Sequence, residues 1–145
     1  MKVRDVLSAK AGAEVMTVKP GETVEILAHR LKLARVGALV VSEDGATMLG
    51  IVSERDIAHC LADQGGEAHR ATVGQIMSAE VVACGPEDSL TAIARRMTER
   101  RIRHLPVIDG GRLAGMISIG DVVKHRLAEI ELEADVLRDI ALAGH

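Results

Sequence analysis

The sequence predicts a mixed α/β (α+β) fold made of one small unit, strand-helix-strand-strand-helix, used twice. Three observations carry this. First, an apolar run ending Gly50-Ile51-Val52 leads into Ser53-Glu54-Arg55-Asp56. The run Leu113-Ala114-Gly115-Met116-Ile117 leads likewise into Ser118-Ile119-Gly120-Asp121, and the two serines stand 65 residues apart. Second, positions 66 apart agree along the chain: Pro20 with Pro86, Arg30 with Arg96, Arg35 with Arg101, Leu39 with Leu105, Val41 with Val107. Third, each copy holds a helical apolar stripe followed by two β-prone runs joined by a turn. A period near 66 is longer than a solenoid repeat. Two copies therefore read as a duplicated half-domain with pseudo-two-fold symmetry, each three-stranded sheet burying its free face against the other copy.

Taken in order, Val3 to Ser8 is a short helical lead-in, echoed by Val73 to Ser78 at an offset of 70. Val15-Met16-Thr17-Val18 is β-prone and ends at Pro20-Gly21; its echo is Val81-Val82-Ala83-Cys84, ending at Gly85-Pro86. Val24, Leu27, Ala28 and Leu31 then recur at the spacing of one buried helix face. Leu90, Ile93, Ala94 and Met97 repeat that spacing. Thr23 and Ser89 stand where capping residues belong. The strands Ala38 to Val41 and Leu49 to Val52 are joined through Asp44-Gly45. Leu105 to Ile108 and Leu113 to Ile117 are joined by Asp109-Gly110-Gly111, a strong hairpin signal.

The expected organisation is a first unit with its lead-in helix over 1–63, a flexible linker with Gly65-Gly66 over 64–72, and a second unit over 73–128. A helical extension follows over 129–145. In that last helix Val123, Leu127, Ile130, Ala134, Leu137 and Ala141 alternate by four and three, as in a coiled-coil seam, with charge on the other faces. The seam is read as a contact between two copies. The competing reading is an extra core helix folded back on its own chain.

Composition excludes several classes. A net charge of −3 gives no general attraction to nucleic acid or to an anionic membrane. No apolar run approaches the ~20 residues of a membrane span, and no signal peptide is visible at the N-terminus. The expected location is the cytoplasm. Cys60 and Cys84 are too few for a disulfide framework and lack metal-ligand spacing. The sequence shows no metal motif, phosphate-binding glycine loop or catalytic set, so no enzyme is expected. Phe, Tyr and Trp are all absent, so a bound base would lie between aliphatic side chains and backbone.

The two strand-to-helix corners are the candidate chemistry. A helix N-terminus exposes unpaired N–H groups and partial positive charge. Asp56 and Asp121 fall in the first turn, where a carboxylate is stabilised and can accept both hydroxyls of a ribose. Ser53 and Ser118 can donate to a ligand or cap the helix. The plainer reading is that Ser-x-x-Asp is a capping box and nothing more.

The two corners, with Arg101-Ile102-Arg103-His104-Leu105-Pro106-Val107, resemble the cystathionine β-synthase (CBS) domain family, arranged as a tandem pair or Bateman module of the small stand-alone bacterial type. The resemblance covers nearly the whole chain apart from the last helix. It implies binding of an adenine nucleotide (AMP, ADP or ATP) in the cleft between the units, with NAD-type and S-adenosylmethionine-type ligands in some members. By family analogy Arg103 and His104 lie near the phosphate. Extended residues alternate sides, so Arg101 and Arg103 should point the same way. The family's crossed arrangement implies Val15 and Thr17, with Lys10 nearby, for the Asp121 site, and Val81 for the Asp56 site. In the first unit Gly37 and Ala38 occupy the positions of Arg103 and His104 and carry no charge. Arg55 and Arg35 are the substitutes there. The resulting expectation is a non-catalytic nucleotide sensor that forms a homodimer through its CBS faces and last helix. Two other readings stay open: an adaptor for nucleic acid or a partner protein using Arg95, Arg96, Arg100, Arg101 and Arg103, and a purely structural dimeric module.

Overall fold

The computed structural model describes residues 1–10 and 15–144 of the chain. It forms two compact units: Met1–Ala13, Cys84–Val107 and Met116–His145 make unit 1, and Glu14–Ala83 with Ile108–Gly115 make unit 2.

Unit 2 contains β1 (Thr17–Val18), α2 (Val24–Ala34), β2 (Ala38–Val41), β3 (Gly50–Ser53), α3 (Glu54–Gln64), a 3₁₀ turn over Gly65–Arg70, and α4 (Val73–Ile76). β2 is the central strand, parallel to β1 and antiparallel to β3, with Val18 opposite Val41 and Ala38 opposite Ser53. A central strand packed on both faces needs apolar residues throughout, and all four residues of β2 are buried. Thr23 caps α2 by accepting the Ile26 N–H at 3.3 Å. The buried stripe of α2 is Val24, Leu27 and Leu31. Ala28, expected on that face, is exposed, so the stripe is narrower than its spacing suggested. The segment read as a flexible linker is wound instead into the 3₁₀ turn. Ala68 and Ala71 are buried with Val24 and Cys60, and the Ala71 carbonyl accepts the Val24 N–H at 2.9 Å. Small side chains let this segment lie close against α2.

Unit 1 contains α1 (Val3–Ala9), α5 (Leu90–Arg100), and α6 (Ile119–Ala143). The hairpin of β4 (His104–Asp109) and β5 (Arg112–Ser118) is divided: residues 104–107 and 116–118 belong to unit 1, and the remainder, with its turn through Gly110 and Gly111 at positive φ, belongs to unit 2. Leu90, Ile93 and Met97 form the buried stripe of α5, and Ala94 is half-buried. The expected third strand, Val81 to Cys84, is reduced to one parallel bridge between Cys84 and Val107. That bridge stands where Val18 pairs with Val41 in unit 2. Pro106 is the reason the ladder stops there. It occupies the place of Val40, accepts the Cys84 N–H at 2.9 Å through its carbonyl, and has no N–H with which to continue the pairing.

The compact units cut across the sequence repeats. The N–H groups of Val3 and Arg4, at the start of α1, donate to the Asp88 and Pro86 carbonyls at 2.9 Å each. Those of Val73 and Gly74, at the start of α4, donate to Glu22 at 2.8 Å and Pro20 at 2.9 Å. These are the same contacts displaced by the repeat. Each lead-in helix has its exposed N-terminal donors satisfied by the loop before the main helix of the other repeat. Val3 and Val6 in unit 1, and Val73 in unit 2, are completely buried.

The 25 residues of α6 extend about 37 Å. Only Val122 is fully buried, and every described residue from Ile130 onward is exposed. The helix does not fold back as an extra core element.

Two predictions follow from this packing. A Cβ at Gly50 would stand 2.6 Å from the Ser78 carbonyl oxygen, which is backbone and cannot swing away. Gly50→Ala should destabilise the protein by about 1–3 kcal/mol in urea unfolding, whereas Gly21→Ala, with open space around it, should not. Burial, reinforced by Asp88 and partly offset by Arg96, pushes the Cys84 thiol up to about 11. Cys84 should therefore stay unreactive toward a thiol reagent at pH 8 until the protein unfolds.

Candidate functional site

Both corners are built alike. β3 delivers Ser53 to the N-cap of α3, and β5 delivers Ser118 to the N-cap of α6. Asp56 Oδ2 accepts the Ser53 N–H at 2.8 Å, and the Asp56 N–H donates to Ser53 Oγ at 3.4 Å. Asp121 Oδ2 accepts the Ser118 N–H at 2.9 Å, and the Asp121 N–H donates to Ser118 Oγ at 3.1 Å. The capping box is present at both corners, so capping is a real duty of all four residues. It occupies one carboxylate oxygen only. Asp121 Oδ1 accepts no hydrogen bond from the described residues.

A second tie fixes the strand preceding each corner. The first N–H of α3, on Glu54, donates to the Gly37 carbonyl at 3.0 Å, and that of α6, on Ile119, donates to the Arg103 carbonyl at 2.8 Å. Residue 37 or 103 is thus held one hydrogen bond from the helix N-terminus. In unit 1 this puts an exposed arginine at the rim of the corner, with half-buried His104 next along β4. In unit 2 the same place holds Gly37, followed by buried Ala38. Arg101 departs from the expected alternation. It is the left-handed C-cap of α5, with φ 54°, as Arg35 is of α2, with φ 55°. A helix terminus, not an extended strand, aims its side chain.

The corners differ most in what the lead-in brings to them. Lys10, the C-cap of α1, donates through Nζ to Asp121 Oδ2 at 3.0 Å and to the Met116 carbonyl at 3.1 Å. In unit 2 the carbonyl equivalent to that of Met116 belongs to Ile51, and it accepts the Ser78 N–H at 2.9 Å in a backbone bridge. An ammonium in one corner does what an amide does in the other. The sequence equivalent of Lys10 is Glu80. Spacing alone did not single out the Met116 carbonyl. The offset of 70 between the lead-ins, set against 65 between the corners, was the available signal.

Asp121 feels opposing influences. Burial raises its pKa. The Ser118 N–H and the Lys10 ammonium outweigh burial and hold the carboxyl below its ordinary 3.8. The group is therefore a carboxylate at neutral pH, with one oxygen engaged and one open.

Of the other residues named from the sequence, Val15, Thr17, Arg55 and Val81 belong to unit 2. Val15, Thr17 and Val81 are half-buried and Arg55 is exposed. The Thr17 carbonyl accepts from Arg30 Nη1 at 3.2 Å. Near the unit 2 corner, Lys32, Arg35, Gly37 and Glu54 line a cleft of about 470 Å³ with Leu31 and Ile57. Asp56 is not among its lining residues. No cluster of metal-ligating side chains occurs among the described residues.

The profile of the CBS domain family matches residues 3–63 and 73–128, both repeats with their lead-ins. The chain belongs to the CBS domain family. It is 33% identical to the CBS domain-containing protein YhcV of Bacillus subtilis over 79% of this chain and 81% of that protein. The CBS-domain protein ATU1752 of Agrobacterium tumefaciens, whose crystal structure is known, is 40% identical with a TM-score of 0.82. That match covers 87% of this chain and 99% of the other. The crystal structure of CBSX2 in complex with AMP aligns at 26% identity and TM-score 0.70, over 79% of this chain and 89% of that one. This CBS pair thus has the family's two repeats, and its α6 runs on past the last residue of the profile. Among the described residues, no helix is long and apolar enough to cross a membrane.

A carboxyl with a depressed pKa adds stability that is complete above its unfolded-state pKa and is lost as pH falls through the folded value. Asp121→Asn should lower the melting temperature at pH 7, and the gap to wild type should close below about pH 4. Thermal scans from neutral pH down to about pH 3 would check it. A gap that stays constant with pH would show that the charge on Asp121 is irrelevant.

Proposed function

We propose that this CBS pair is a regulatory module that binds an adenine nucleotide, catalyses no reaction, and acts in the cytoplasm by changing conformation or partner affinity when the nucleotide binds. AMP, ADP and ATP are the leading ligands, with NAD and S-adenosylmethionine as variants of the same adenosine chemistry. The observation that carries the reading is the Asp121 corner: an ionised side chain at a helix N-terminus, with Oδ2 committed to Ser118 and Lys10 and Oδ1 open. A ribose offers paired hydroxyl donors to such a carboxylate, and Lys10, Arg103 and His104 supply cationic or hydrogen-bonding groups for phosphates. The likeness to CBSX2, whose crystal structure contains AMP, supports the same ligand class.

On this reading the unit 2 corner, around Ser53 and Asp56, is the weaker site or takes a ligand of lower negative charge. Gly37 and Ala38 bring no cation to it, and Glu80 stands in the place of Lys10. Self-association through the CBS faces and α6 belongs to the same proposal. The nucleic-acid reading is disfavoured, because Arg96, one of the arginines it would need, lies 3.6 Å from Asp88 in an ion pair.

Titration calorimetry with AMP, ADP, ATP, NAD and S-adenosylmethionine tests the reading directly. At a hundred times its dissociation constant the true ligand should add ~2.7 kcal/mol of stability. Asp121→Ala should remove most of that response. If Asp121 is only a cap, the variant loses about 1 kcal/mol of stability and still responds in full. Absence of heat with all five compounds would end the proposal.

A further inference from the structure

The CBS profile stops at residue 128, while α6 continues to Ala143. The first turns of α6 turn Val122, His125, Arg126 and Glu129 toward their own unit, all buried or half-buried. About a third of a turn round the helix lies the seam Val123, Leu127, Ile130, Ala134, Leu137, Ala141. Its four large members are 50%, 53%, 52% and 67% exposed. With Leu127 and Ala134 at heptad a and Ile130 and Leu137 at d, Arg126 and Glu133 take g positions and Glu131 and Arg138 take e positions.

We propose that α6 pairs with α6 of a second copy of this chain as a parallel, in-register, two-stranded coiled coil. In that arrangement each g residue faces the e residue five positions on in the other strand. Arg126 then meets Glu131 of the second copy, and Glu133 meets Arg138 of the second copy. Symmetry doubles both pairs, every complete charged g–e pair is attractive, and the whole seam is covered. The full-overlap antiparallel alignment sets Glu131 against Glu131, Glu133 against Glu133 and Lys124 against Arg138, which is repulsive throughout. Sliding one helix by a heptad restores opposite charges but leaves one end of the seam in water. Arg126 already pairs with Glu129 in its own helix at 2.7 Å. Its guanidinium has five N–H donors and can serve both carboxylates. A second exposed stripe, Leu132, Val136 and Ile140, continues the side that faces unit 1 and provides the internal control.

This pairing rests on the self-association part of the proposed function and is independent of the ligand. It is tested on the full chain by light scattering and sedimentation. All the variants alter exposed side chains, so each should fold like wild type. Leu137→Glu should dissociate the dimer and Leu132→Glu should not. Arg138→Glu should weaken dimerisation about tenfold, Glu133→Arg in that background should restore it, and Glu131→Arg should not. Ala141→Cys should give a disulfide-linked dimer on mild oxidation, with wild type as the blank. Rescue by Glu131→Arg instead of Glu133→Arg would overturn the parallel register. A dimer that survives Leu137→Glu would overturn α6 as the contact while leaving self-association through the CBS faces standing. A monomer at every concentration would overturn both.

Discussion

The constraint on which the rest of this chain depends is that neither repeat closes its own core. Each repeat is about 60 residues of aliphatic side chains with no aromatic ring to add bulk, and domains of that size bury too little surface to be comfortable alone. The deficit is met by exchange. Val3 and Val6 of the first lead-in are fully buried in the unit that holds α5 and α6, and Val73 of the second is fully buried in the unit that holds α2 and α3. The N-termini of both lead-ins give their N–H groups to the carbonyls of a Pro-containing loop, with the same pairing of residues displaced along the chain. A helix as short as α1 or α4 has almost no stability of its own. Docking of its first N–H groups and of one or two valines is what fixes it.

That exchange also makes the two corners unequal. Both are capping boxes with one carboxylate oxygen consumed by the helix end. The docked α1, however, delivers an ammonium to Asp121 and to the Met116 carbonyl, whereas the segment after α4 delivers a backbone amide to the equivalent Ile51 carbonyl. Both corners keep their carboxylate, and the duplicated fold differs in having an ammonium at one and a backbone amide in its place at the other. Gly50, pressed against the Ser78 carbonyl, belongs to the second kind of closure. The backbone fills the space and a side chain cannot enter.

Much of this was legible in the residues. The helix faces followed from spacing, the hairpin from Asp109-Gly110-Gly111, and the corners from their repetition. Three features were not legible, for distinct physical reasons. The loss of the third strand in unit 1 turns on one missing N–H, that of Pro106, whose effect appears only once its parallel partner is known. The 3₁₀ turn over Gly65–Arg70 reads as a linker because its glycines are local signals, while the burial of Ala68 and Ala71 is tertiary. The displaced C-caps are the third. Arg35 and Arg101 sit at positive φ, a conformation usually left to glycine, and composition gives no hint of it. Both close the main helix of their repeat, 66 residues apart, in the same conformation. At the site itself, the Ser-x-x-Asp pairs were visible in the residues, and Lys10 as a neighbour came only from the family resemblance. The bond from Lys10 to the Met116 carbonyl was not visible, because it joins residues 106 apart.

Regulation requires a ligand to favour one arrangement of the protein over another, and on the proposed reading the Lys10 contact would set that difference at Asp121. A hydroxyl that takes only Oδ1 leaves the clasp between α1 and α6 intact and stabilises the arrangement already present. A group that takes both oxygens must compete with Lys10 at Oδ2, since the Ser118 N–H is fixed by the helix end and cannot leave without undoing the cap. An anionic phosphate nearby offers the displaced ammonium a new partner. On the proposed reading, coupling between a nucleotide and the lead-in would pass through this one side chain, whose stem begins where α1 ends. The N-terminus of the same helix is pinned to the loop that precedes α5, so whatever moves Lys10 pulls against a fixed point.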